Sequence, residues 1–142
     1  MVDKQKYNIL IVEDEPDYRE LINRFLSDSY DVSFAENGIE GLRKATGDVL
    51  PDLVIIDIQL PVLNGYDLCK MLRDNERTRN IPLLILTGDE LRDELKSFEV
   101  GADDFIEKPI SKERLIVRIE SKIQRFKQLA GGGKTYLLGR CS

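Results

Sequence analysis

A chain of 142 residues, 42% hydrophobic and 33% charged, suits one globular domain with a single sizeable core. Its 26 acidic and 21 basic residues leave a net charge of −5, which argues against direct nucleic-acid binding by this domain, since phosphate backbones call for a basic face. The sequence contains no histidine, so zinc sites of the usual kind and histidine acid–base catalysis are excluded. Cys69 and Cys141 have neither metal-ligand nor redox spacing, the segment Met1 to Lys6 lacks the apolar centre of a signal peptide, and no run approaches membrane-spanning length. A cytoplasmic domain without membrane contact is the expectation.

In chain order, Tyr7 to Val12 is an apolar run of the kind buried on both faces of a parallel sheet, and it ends in Glu13-Asp14-Glu15. Pro16 suits the first turn of a helix whose apolar stripe is Tyr18, Leu21, Ile22, Phe25 and Leu26. Asp31 to Ala35 reads as a short strand, Asn37-Gly38 turns the chain, and a weaker helix carries Ile39, Leu42 and Ala45 up to Gly47. Leu53-Val54-Ile55-Ile56 runs unbroken into Asp57, and Pro61, with no N–H to donate, stops ladder pairing soon after. Asn64-Gly65 leads into a helix with Tyr66, Leu68, Met71, Leu72 and a small buried Cys69. Asp74 to Asn80 reads as a solvated loop. A fourth strand spans Ile81 to Leu86 and ends at Thr87-Gly88-Asp89, and a helix with Leu91, Leu95, Phe98 and Val100 closes at Gly101. A fifth strand, Ala102 to Ile106, leads to Glu107-Lys108-Pro109, and Ser111 caps a last helix with Leu115, Ile119, Ile123 and Phe126 on its apolar side. Beyond Ala130, Gly131-Gly132-Gly133 marks a flexible break. The expected organisation is one domain over residues 7–128 and a flexible tail or truncated linker over 129–142.

Five strands alternating with five helices imply right-handed crossovers and a doubly wound, mostly parallel sheet covered on both faces. In such a sheet all strand carboxyl ends share one edge, where open α/β folds bind ligands. Glu13 and Asp14, Asp57, Thr87 and Lys108 stand at four of those ends; the second strand offers nothing comparable. Clustered carboxylates repel one another unless a cation sits among them, and Mg²⁺ suits hard oxygen ligands. A hydroxyl and an ammonium beside them are groups that hold phosphoryl oxygens, and phosphoryl transfer needs little beyond positioning and charge neutralisation.

Glu13-Asp14 after the first strand, Asp57 in Asp57-Ile58-Gln59-Leu60-Pro61, Gly65 closing the next loop, Thr87 before Gly88, and Lys108-Pro109 together resemble the receiver domain of bacterial response regulators over about residues 7 to 127. The resemblance implies a flavodoxin-like five-stranded fold in the order 2-1-3-4-5. It implies that Asp57 accepts a phosphoryl group from a histidine kinase or phosphotransfer protein. Mg²⁺ would be held by Asp14, Asp57 and the backbone carbonyl of Gln59, with Glu13 holding metal-bound water. Lys108 and Thr87 would bind phosphoryl oxygens, and Phe105 matches the family's switch aromatic. The chain would act on itself alone, catalysing its own phosphorylation and dephosphorylation, and would signal to an output domain or partner, or to a second copy through the face of the fourth helix, fifth strand and last helix. Gln59, where methionine is frequent, and Asp89 occupy positions that tune dephosphorylation in the family. Gly88, where alanine is frequent, leaves more room above the site.

Plainer readings exist for each residue. Glu13 and Asp14 suit a helix amino terminus, Lys108 could neutralise Glu107, Thr87 could cap a turn, Phe105 could be core, and Arg92, Lys96 and Arg118 read as a solvated face. Among other functions, an aspartate-nucleophile hydrolase usually has an acid where Gln59 stands, and a flavin or nucleotide binder needs a phosphate loop where Glu13-Asp14-Glu15 would repel anions. A receiver-like module that binds partners without phosphorylation is the remaining alternative, although the acceptor, the acidic pair and the lysine are all present.

Overall fold

The computed structural model describes residues 6–88 and 90–129. Ten elements alternate without exception: β1 (Asn8–Val12), α1 (Pro16–Leu26), β2 (Asp31–Ala35), α2 (Gly38–Ala45), β3 (Leu53–Asp57), α3 (Gly65–Asp74), β4 (Leu83–Thr87), α4 (Glu90–Glu99), β5 (Asp104–Glu107) and α5 (Lys112–Leu129). The strands form one parallel sheet in the order β2-β1-β3-β4-β5, as expected. Every residue of β3 and β4 is buried, which is why both read as unbroken apolar runs.

Side chains alternate across the sheet and generate two cores. Ile9, Ile11, Leu53, Ile55, Leu84 and Leu86 pack with Ile22 and Leu26 of α1 and Leu115, Ile119 and Ile123 of α5. Leu10, Val12, Val54, Ile56, Leu83 and Ile85 pack on the other side with Ala45 of α2, Leu68, Cys69 and Leu72 of α3, and Val100 just after α4. Burying each aliphatic side chain contributes roughly 1.5–3 kcal/mol relative to exposure. Burial also pushes the Cys69 thiol up to about 12, the state of an inert core residue.

Local chemistry sets the element ends. Asn37 and Asn64 cap α2 and α3, their side chains accepting from the N–H groups of Glu40 and Asp67 at 2.8 and 2.9 Å. Ser111 does the same for α5 through the N–H of Arg114 at 3.4 Å. Gly101, with φ +95°, ends α4 in a Schellman arrangement: its N–H bonds the carbonyl of Phe98 at 3.1 Å and that of Ala102 bonds Ser97 at 3.0 Å. This cap consumes the N–H of Ala102, so β5 begins at Asp104 and not at Ala102. β4 likewise begins two residues later than its apolar run, because the N–H of Ile81 turns back to Thr78 at 3.1 Å and Pro82 has none.

Two polar expectations are corrected. The Asp74–Asn80 segment is not uniformly solvated: Thr78 is buried and its hydroxyl donates to Leu72 O at 2.6 Å. Arg118 does not lie on a purely solvated face, since it pairs with Asp104 at 3.1 Å and reaches the carbonyl of Phe105 at 3.3 Å. Arg73 ties the α3–β4 and α4–β5 connections together, donating to the carbonyls of Gly101, Arg79 and Ile81 and pairing with Asp103, whose carboxylate also caps the N–H of Leu83. The glycine-rich tail from Gly131 and Asp89 lie outside the described residues.

Candidate functional site

At the carboxyl edge of the sheet the ends of β1, β3, β4 and β5 converge. The N–H of Glu13 bonds Ala35 O at 3.0 Å, which holds it at the end of β1 beside β2. Asp57 closes the central strand in register with Leu86, and the N–H of Lys108 bonds Thr87 O at 2.8 Å, so the ends of β4 and β5 lie side by side. Thr87 is buried at that junction.

Gly65 holds the loop after Asp57 close to the strand. Its N–H bonds Ile58 O at 3.0 Å, and a Cβ there would lie 2.3 Å from Asp57 O and 2.8 Å from the Cα of Ile58. Only glycine permits that approach. The same loop carries Val62 at φ +72° with its side chain 79% exposed, a conformation a β-branched residue adopts only under strain.

Lys108 and the carboxyl groups of Glu13, Asp14, Glu15 and Asp57 meet at this edge. The ammonium of Lys108 lies 3.1 Å from Oδ2 of Asp57, 3.4 Å from Oε1 of Glu13 and 4.0 Å from Glu15. The other oxygen of Asp57 accepts the Gln59 N–H at 3.1 Å. Glu13 is fully buried; its Oε2 accepts the Glu15 N–H at 3.2 Å, while Oε1 takes no hydrogen bond. Burial, then the adjacent carboxylate of Asp57, push the Glu13 carboxyl from 4.5 up to about 8, against the pull of the Glu15 N–H and Lys108. For Lys108, burial would lower the ammonium pKa, but the charge and hydrogen bond of Asp57 and the charge of Glu13 outweigh it and the net shift is upward. The Lys108 side chain is thus directed into the cluster.

Glu13, Asp14 and Asp57 offer carboxylate oxygens within 4.8 Å of one another. Two of the three are buried and Asp14 faces solvent, a graded access that suits a hard cation keeping some of its water. Oε1 of Glu13, buried with the Lys108 ammonium at 3.4 Å but taking no hydrogen bond, keeps capacity for such a cation or for a water bound to it.

Of the residues singled out in the sequence, Glu13, Asp14 and Asp57 are thus in direct reach of one another, Lys108 reaches Glu13 and Asp57, Gln59 joins through its N–H, and Thr87 borders Lys108 through the backbone. Phe105 lies on β5, three residues before Lys108. It is half-buried against the core on the α3–α4 side, with its ring edge-on to Phe98 at 6.1 Å and 81°. Tyr18, read from the sequence as one more apolar-stripe residue, is a member of the site as well: its ring centroid lies 4.3 Å from the Lys108 ammonium. The available signal was an aromatic in the first turn of the helix that follows the acidic run.

The model of the response regulator receiver domain matches residues 9–120. The DNA-binding dual master transcriptional regulator RpaA of a Synechocystis strain is 35% identical over 128 residues, covering 89% of this chain and 53% of its own length. The chain thus spans about half the length of that relative. Among solved structures, the receiver domain of a signal transduction histidine kinase from Syntrophus aciditrophicus is 35% identical with a TM-score of 0.74, covering 90% of this chain and 95% of that one. The receiver domain of the sensor histidine kinase PA1611 from Pseudomonas aeruginosa, which has a magnesium ion in its active-site cleft, is 29% identical with a TM-score of 0.79 over 84% of this chain and 99% of that one. With the sheet order, the acidic edge and these likenesses in agreement, the chain belongs to the receiver domain family of two-component response regulators.

Proposed function

We propose that this domain accepts a phosphoryl group on Asp57 from a phosphohistidine of a histidine kinase or phosphotransfer protein. The observation that carries the reading is the Asp57 carboxylate at the end of the central strand, paired at 3.1 Å with Lys108 and within ligand distance of Glu13 and Asp14. An oxygen of Asp57 attacks phosphorus, the P–N bond breaks with its electron pair leaving on the imidazole nitrogen, and an acyl phosphate forms. Lys108 neutralises charge on a phosphoryl oxygen, and Thr87, at the neighbouring strand end, is the hydroxyl available to another. Receiver domains bind Mg²⁺ at an acidic pocket; here Glu13, Asp14, Asp57 and the Gln59 carbonyl are the residues that would hold it. The ion supplies charge neutralisation for the transferring group. The chain is not an enzyme in the ordinary sense, since the group it transforms is its own Asp57.

The acyl phosphate places new charge and acceptor oxygens beside Thr87 and Lys108 and biases a two-state equilibrium. The face of α4, β5 and α5 is the responding surface in this reading, to an output domain, a partner protein or a second copy. Support comes from its exposed apolar residues Leu95, Phe98 and Val117 and from Phe105 lying on β5 three residues before Lys108. Among the described residues no helix is long and apolar enough to cross a membrane.

The deciding experiment is mass measurement after incubation with acetyl phosphate and Mg²⁺. One phosphoryl group is expected on the wild type and none on Asp57→Asn, with Asp14→Asn weakened in metal binding. An undiminished mass shift in Asp57→Asn refutes the assignment.

A further inference from the structure

Lys108 has a partner in the site whose charge never changes. Its ammonium lies 4.3 Å from the centroid of the Tyr18 ring, while its ionic partners are Asp57, Glu13 and Glu15. A lysine side chain is a hydrated point charge on a flexible four-carbon stem, and carboxylates alone do not define where it sits. Glu15 is largely exposed and draws the ammonium toward solvent. The ring is better fixed: Tyr18 belongs to the first turn of α1 and packs against the core of Ile22, Leu26 and the α5 aliphatics. An aromatic face within about 6 Å of a cation attracts it through the ring quadrupole, more strongly as water is excluded.

The ionic partners are the ones that the phosphoryl cycle alters. A cation held by Asp14 and Asp57 takes up carboxylate charge, and phosphorylation turns the Asp57 carboxylate into an acyl phosphate and so removes it as a carboxylate partner. Both events loosen the ion pairs that hold Lys108 at the moment it is needed on a phosphoryl oxygen. We propose that Tyr18 is the positioning residue for Lys108, its ring face keeping the ammonium over the phosphoryl site while the carboxylates are engaged elsewhere. This rests on the phosphoacceptor reading. The ring and not the phenol hydroxyl carries the effect, so phenylalanine should replace tyrosine and an aliphatic residue should not.

The test compares wild type, Tyr18→Phe, Tyr18→Leu and Tyr18→Met as full chains. Beryllofluoride with saturating Mg²⁺ serves as the phosphoryl mimic, titrated by NMR, with the ring-current shift of the Lys108 ε-methylene protons read in the same spectra. Affinity for Mg²⁺ alone and urea stability are measured in parallel. The expected result is a loss of beryllofluoride affinity on the order of 3- to 30-fold in Tyr18→Leu and Tyr18→Met, from the usual strength of such contacts, with Tyr18→Phe within about twofold of wild type. Affinity for Mg²⁺ alone should be unchanged, and the Lys108 ring-current shift should vanish in the aliphatic variants only. Wild-type affinity in a folded Tyr18→Leu or Tyr18→Met, or an equal loss in Tyr18→Phe, overturns the role of Tyr18 and leaves the phosphoacceptor reading standing. A wild type that shows the ring-current shift yet binds no beryllofluoride overturns the phosphoacceptor reading, and the role of Tyr18 with it.

Discussion

Replacing Glu13 with glutamine should make the metal-free domain more stable at alkaline pH and erase a pH dependence that the wild type shows. Glu13 is fully buried, one of its oxygens has no hydrogen bond, and its carboxyl is raised from 4.5 to about 8. Because the folded value lies above the unfolded one, the folded chain keeps a proton that the unfolded chain gives up between those limits. Stability is then fully present below 4.5 and declines as pH rises through about 8. An interval of that width corresponds to at most about 5 kcal/mol, a large share of the roughly 5–15 kcal/mol that holds a domain of this size. Lys108 adds nothing to this slope: its pKa is raised from 10.5, so its contribution is complete below that value. Urea unfolding in EDTA between about pH 5 and pH 9 should show the wild-type midpoint falling and that of Glu13→Gln nearly flat, with the curves crossing. Excess Mg²⁺ at the alkaline end should restore the wild type, because the cation takes the place of the proton, and should help Glu13→Gln less. Parallel curves for the two proteins in EDTA would falsify the reasoning, since the buried carboxyl would then carry no linked proton.

Gly65→Ala should both destabilise the domain, by roughly 1–3 kcal/mol from overpacking, and slow acetyl phosphate labelling of Asp57 by about 100-fold, since the added Cβ must displace Asp57 O from 2.3 Å; denaturation and labelling rates matching wild type would sink this account. Val62→Asn should raise the urea midpoint by about 1 kcal/mol equivalent without changing the slope, because asparagine tolerates the left-handed φ of +72°. Arg73→Ala removes one donor group from three carbonyls and unpairs Asp103, with an expected loss of about 2–4 kcal/mol in chemical denaturation, and Arg73→Lys should not rescue it because an ammonium lacks the planar fork. Gln59→Met should lengthen the phosphoryl lifetime in a dephosphorylation time course, since the exposed amide beside Asp57 that can orient an attacking water is then gone.

How the sheet is built could be read directly from the residue order. Strands buried on both faces need apolar side chains at every position, so β1, β3 and β4 stand out as runs, and the alternation with helices leaves parallel crossovers as the economical topology. From that alone the carboxyl ends share one edge, and Glu13, Asp14, Asp57 and Lys108 are brought into one neighbourhood. Residue order does not contain distances or competition for partners. Ile39 and Leu95 carry helical apolar spacing, yet they are 51% and 70% exposed, because periodicity marks a face without saying whether another element covers it. The starts of β4 and β5 were set by where N–H groups found partners in the Thr78 turn and the Gly101 cap, bonds that no local propensity announces. Tyr18 shows the limit most plainly. Its spacing assigns it to the apolar stripe of α1, and that assignment is correct, but only the tertiary fold, which seats its ring on the core at the sheet edge, places it 4.3 Å from an ammonium delivered from 90 residues further along the chain.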